Sequence, residues 1–139
     1  MTPAAKKEGF SPEERAAMRA RAKELKLAQD GEDAIAASLK KMAPADRAIG
    51  KRVHELVKDA APQLTPKTWY GMPAYANKDG KVVIYFRDAG KFKERYSMLG
   101  FNEAANLDAG SMWPVAYALP KLAKADETKI RTLIKKAAS

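Results

Sequence analysis

The sequence predicts an α+β fold, a twisted antiparallel sheet of about four or five strands with helices before and after it packed on the sheet. Three observations carry this expectation. Apolar residues recur at helical spacing up to about residue 61, and period two with aromatic or β-branched residues takes over from Thr68 to about residue 119. One amphipathic stretch then closes the chain.

Ser11-Pro12-Glu13-Glu14 reads as a capping box, with Pro12 at the first helical position, so a helix starts near residue 12. It is expected to end near Leu27 or Ala28, before Asp30-Gly31. Its apolar stripe is thin, chiefly Met18, Ala22 and Leu25. Residues 1–30 are therefore read as an N-terminal helical extension and 31–139 as the α+β domain, with helix 12–28 a semi-detachable cover for the sheet. Ile35, Leu39 and Met42 fall at i, i+4 and i+7 and mark a second short helix that finishes before Pro44. Asp46 resembles an N-cap for a third, in which Ile49, Val53, Leu56, Val57 and Ala60 form one stripe ending before Pro62.

The segment TWYGMPAY, residues 68–75, is read as a strand. Alternation places Trp69, Gly71, Pro73 and Tyr75 on one face and Thr68, Tyr70, Met72 and Ala74 on the other. Pro73 cannot donate to a ladder, so the strand is an edge, is bulged, or ends there; Gly71 lets another backbone or a ligand come close. Lys81 to Arg87 (KVVIYFR) is the clearest strand, joined to 68–75 by Lys78-Asp79-Gly80, whose Asp-Gly pair suits a tight hairpin. Further strands are expected at 94–100 and 112–118, around a helical turn at 102–107. The last helix is placed at 127–137, with Asp126 as N-cap and Ile130, Leu133, Ile134 and Ala137 on one side.

At 139 residues and 46% hydrophobic, the chain is long enough to bury a core. No stretch approaches the length of apolar residues that a membrane span needs, and MTPAAKKEGF lacks the apolar run of a leader, so a soluble cytoplasmic protein that does not enter a membrane is expected. The absence of cysteine excludes disulfides, thiolate nucleophiles and Cys-type zinc or iron–sulfur sites. The single histidine, His54, sits beside the Val53, Leu56, Val57 stripe and reads as an ordinary helix residue. Asp79, Asp88, Glu94, Glu103 and Asp108 are scattered without an acid/base spacing. No catalytic residue and no cofactor is assigned. Lys and Arg number 26 against 17 Asp and Glu, a net charge of +9 spread along the chain, which favours contact with polyanions.

Both predicted central strands are apolar on both faces. Helices 46–61 and 127–137 can cover one face; helix 12–28, a ligand or a second subunit is left for the other, so the chain is a monomer or a homodimer. The leading functional reading is a non-enzymatic binding module. Its site is an aromatic concavity lined by Trp69, Tyr70, Met72, Tyr75, Met112 and Trp113, and its partner a small molecule or a protein.

The order of helices, TWYGMPAY, GKVVIYF, MWPVAYAL and the closing DETKIRTLIKKA resembles the YdhG-like family of small domains of unknown function, grouped with YjbR-like and frataxin-like (CyaY-like) proteins. The resemblance covers roughly residues 33 to 138, and residues 10 to 28 look like an N-terminal helix that accompanies some members. It implies an α+β fold with a twisted antiparallel sheet, and no established activity. The YjbR-like relatives suggest weak, sequence-nonspecific nucleic-acid binding as an alternative. Lys78, Lys81, Arg87, Lys91, Lys93 and Arg95, interleaved with Tyr85, Phe86, Phe92 and Tyr96, would carry it. The frataxin-like relatives suggest an iron chaperone as a second alternative, for which Asp30, Glu32 and Asp33 form the one carboxylate cluster available.

Overall fold

The computed structural model describes residues 9–139; the first eight residues of the predicted extension lie outside them. The elements run α1 (Pro12–Lys40), α2 (Pro44–Ala60), β1 (Thr65–Trp69), β2 (Met72–Ala76), β3 (Val82–Arg87), α3 (Ala89–Phe92), β4 (Ser97–Phe101), β5 (Ala116–Leu119) and α4 (Lys124–Ala138). The five strands form an open antiparallel sheet in sequence order, β1-β2-β3-β4-β5, with helices before and after it. The α+β class expected from the sequence is the class observed.

α1 begins as read from the sequence. The Ser11 hydroxyl accepts from the Glu14 amide at 3.0 Å, and the Glu14 carboxylate accepts from the Ser11 amide at 2.8 Å. It does not stop at Asp30-Gly31, however, and the two predicted helices are one. Gly31 serves a close approach instead of a stop, because a Cβ there would lie 1.8 Å from the Pro66 carbonyl oxygen of β1. The helix ends at Lys40, where Arg47 donates to the carbonyls of Leu39, Lys40 and Met42 at 2.9–3.2 Å. A fixed guanidinium satisfies the last carbonyls and opposes the negative end of the helix dipole.

α2 starts at Pro44, and its N-cap is Ala43. Asp46 is therefore not the cap. Its carboxylate accepts from the Gly90 amide at 2.9 Å and from the Ser97 hydroxyl at 3.3 Å, tying α2 to the connection between β3 and β4. Similarly, α4 begins three residues before its expected start, and Asp126 lies within it, accepting from the Ala123 amide at 3.1 Å. The strand expected at 112–118 is shorter and later, and 94–96 is irregular, preceded by the one-turn α3.

The largest departure is at TWYGMPAY, which is two strands and the turn between them. Trp69 pairs with Met72 across a two-residue hairpin. Tyr70 and Gly71 both have positive φ, 52° and 76°, as a type I′ turn requires. The turn is held by its neighbours: Ser38 donates to the Gly71 carbonyl at 2.8 Å and Lys91 to the Tyr70 carbonyl at 2.9 Å. Pro73 lies just before the β2–β3 pairing begins at Ala74, so its missing amide costs no ladder bond there. The next hairpin keeps its predicted place: the Asn77 side-chain oxygen accepts from the amides of Asp79 and Lys81, with Gly80 at φ 79°.

Register assigns the faces. Pro66, Tyr75, Ile84 and Phe101 lie in one row, and Phe86, Leu99 and Tyr117 in the next. This inner face meets Ile35 of α1, Val53, Leu56 and Val57 of α2, and Ile130 and Ile134 of α4 in one core. In β3 the register passes from Tyr75↔Ile84 to Ala76↔Val82, leaving Val83 unpaired and letting Val83 and Ile84 both enter the core. Arg52 clamps α2 to α4, meeting the Glu127 carboxylate at 3.0 and 2.6 Å, and its hydrogen bonds hold the Glu127 carboxyl below the usual range.

Candidate functional site

The outer face carries Lys67 and Trp69 of β1, Met72 and Ala74 of β2, Tyr85 and Arg87 of β3, and Met98 and Gly100 of β4. No helix joins the core through these residues. Their cover is their own aromatic rings. Tyr85 lies across Gly100, where a Cβ would stand 2.0 Å from the ring, and Trp69 packs against Tyr85 with ring centroids 5.3 Å apart. Beneath them Met72 and Ala74 are buried. Tyr70 meets the Trp69 edge at 5.0 Å and is 78% exposed at the hairpin tip. Beside Trp69 is a depression of about 740 Å³ between Lys67, Lys81, Val82, Asn102 and Glu103.

The six residues expected to line one concavity are thus distributed. Trp69 and Met72 share the outer face, and Tyr70 is next to them. Tyr75 is on the inner face, Trp113 packs against the core cluster, and Met112, in the loop before β5, is 88% exposed. The reason is the hairpin: two turn residues after Trp69 reverse the chain, so Trp69 and Met72 face together and the simple alternation over 68–75 does not apply.

The six basic residues form two groups. Lys78 and Lys81 stand at the β2–β3 turn, whereas Arg87, Lys91, Lys93 and Arg95 surround α3 at the other end of β3. Arg87 stacks on Phe92 at 3.8 Å and pairs with Glu94 at 2.5 Å, and Arg95 lies over Tyr96 at 5.0 Å. Lys91 is engaged with the Tyr70 carbonyl. Phe86, counted among the interleaved aromatics, is fully buried on the inner face. Lys67 was missed by sequence reasoning; its signal was its place two residues before Trp69, once 65–69 is recognised as a separate strand.

A second polar cluster joins residues far apart in the chain. His54 Nδ1 lies 2.8 Å from the Tyr75 hydroxyl and Nε2 lies 2.7 Å from the Glu32 carboxylate, which also meets Lys58 at 2.6 Å. With Nε2–H donating to Glu32, Nδ1 accepts from the phenol, and the buried hydroxyl is satisfied. Burial works against ionisation of Glu32, but the hydrogen bonds and charges of Lys58 and His54 outweigh it and hold its carboxyl below the usual range. Burial, assisted by the Glu32 charge, pushes the Tyr75 phenol up. Tyr75 is buried, and through His54 and Glu32 the cluster fastens α1 and α2 to β2.

Asp30 pairs with Lys26 at 3.3 Å, Asp33 accepts from Gln29 at 3.0 Å, and Glu32 belongs to the His54 cluster. The three carboxylates of the iron reading therefore serve different partners. Among the described residues no group of three or more His, Asp or Glu side chains is arranged to hold a metal ion, and no helix is long and apolar enough to cross a membrane. Comparison with protein-family models, curated proteins and solved structures finds no match to this chain.

Proposed function

We propose that the outer sheet face binds single-stranded nucleic acid without sequence selection, in a YdhG-like domain. The observation that carries the reading is the Trp69–Tyr85 pair on a face that no core-forming helix covers, with Lys67 and Lys81 lining the depression beside Trp69 and Lys93 and Arg95 beyond the far end of β3. Bases stack on exposed rings whatever their identity, and phosphates meet the flanking cations. The net charge of +9 draws a polyanion to the chain. The family reading rests on the sequence resemblance of TWYGMPAY, GKVVIYF and the closing DETKIRTLIKKA. The small-ligand reading loses support because its six residues do not converge.

The test is a titration of a thymidine oligonucleotide followed by tryptophan fluorescence. Quenching at low salt, a steep loss of affinity as salt rises, and weaker binding by Trp69→Ala and Tyr85→Ala are expected. No binding at low salt, or binding indifferent to both substitutions, would overturn the reading.

A further inference from the structure

α1 has two unlike halves. From Gly31 onward it packs against α2 and β1, whereas every residue from Pro12 to Leu27 is exposed. The unpacked half is not polar all round. Met18, Arg21, Leu25, Ala28, Glu32, Ile35, Leu39 and Met42 follow the alternating three- and four-residue spacing of a helix–helix seam.

In the packed half this seam meets α2, through the Glu32–His54 bond and the burial of Ile35 and Met42. α1 and α2 run antiparallel, and α2 ends at Ala60, so the seam continues past its partner. Met18 and Leu25 are left 52% and 54% exposed. Below the overhang lies a cleft of about 990 Å³, bounded by Arg21, Leu25 and Ala28 on one side and by Ala61, Pro62 and Leu64 on the other.

We infer that the missing partner is the overhang of a second copy of this chain, laid antiparallel in the cleft about a two-fold axis. The same surface then serves both copies, as an isologous contact requires. Setting Met18 against Ala28 of the second copy brings Leu25 over the aliphatic stem of Arg21. The charges agree with this register. Arg21, which pairs with Glu24 of its own helix at 3.5 Å on an exposed surface, comes beside Glu24 of the second copy, and symmetry makes the contact twice. The rim of the cleft carries both Arg21 and Glu24, and the overhang of a second copy brings the complementary Glu24 and Arg21 to them along with its apolar seam.

Sedimentation velocity of the full chain tests the inference. Mass should rise with concentration from 15.2 kDa toward twice that value between ~1 and ~100 µM. Met18→Glu with Leu25→Glu should weaken association at least ~tenfold, with the helical circular dichroism retained because both positions are exposed. Arg21→Glu should weaken it as well, and Arg21→Glu combined with Glu24→Arg should restore it. A wild-type chain that stays monomeric throughout would overturn the inference, as would a dimer indifferent to Met18→Glu/Leu25→Glu. A dimer that the charge exchange fails to restore would overturn the antiparallel register.

Discussion

The two faces of the sheet are made from the same alternating strands and are covered in different ways. On the inner face, Tyr75, Ile84, Phe86 and Leu99 are buried beneath three helices. On the outer face the large rings pack sideways on one another and stay partly exposed. Burial area decides folding free energy, so inner residues hold the domain together. Outer rings keep only part of that stabilisation, and under the proposed function their exposed area is what a base would meet. The lesson is that an aromatic-rich strand pair should be divided by face before its residues are assigned to core or site.

The sharpest break of this contrast is Phe86→Ala. Removing a fully buried ring should cost about 3–5 kcal/mol in urea unfolding, whereas Trp69→Ala should stay within about 1.5 kcal/mol and act on oligonucleotide binding instead. Comparable losses from both would erase the distinction. Next come the two glycines that admit a neighbour. Gly31→Ala in an ordinary exposed helix would stabilise by about 1 kcal/mol, but here the Cβ meets the Pro66 backbone and should destabilise by about 1–3 kcal/mol. Gly100→Ala pushes only the Tyr85 ring, so about 1 kcal/mol is expected, with a change in Trp69 emission as the ring contact opens.

The smallest effect concerns acid. The folded-state pKa of Glu32 lies below the ordinary 4.5, so this group contributes stability above the unfolded value that is lost as pH falls through the folded one. Glu32→Gln should flatten that part of the decline below about pH 4.5, while costing less than about 1 kcal/mol at neutral pH because the carboxylate is partly solvated. An unchanged pH profile would show that Glu32 does not fasten the helices through its charge.

Much of this architecture is written locally. The Ser11 capping box, the Asn77–Gly80 hairpin and the stripes of α2 and α4 depend on residues within a few positions, and they fall close to where the sequence places them. What failed depends on distant contacts. Gly31 looks like a helix stop until Pro66 is beside it. Tyr70 gives no turn signal, since a bulky side chain is a poor candidate for positive φ, and the residues that brace the turn, Ser38 and Lys91, are distant in the chain. The site was half legible: Trp69, Tyr70, Tyr85 and the basic residues were marked, but their division between faces required that turn. His54 looks ordinary in the sequence because Glu32 and Tyr75 lie more than twenty positions away on either side.

Tyr70 also separates what evolution would keep from what folding would choose. Left-handed backbone disfavours an L side chain by about 1–2 kcal/mol, a penalty Gly escapes and Asn reduces. In a library randomised at this position and sorted by protease survival alone, Gly and Asn should therefore be enriched over Tyr. Sorting the same library by capture of an oligonucleotide should return aromatic residues despite their poorer survival, because a ring 78% exposed beside Trp69 extends the stacking shelf. The ratio of the two enrichments at position 70 would measure how far binding, and not stability, dictates this turn.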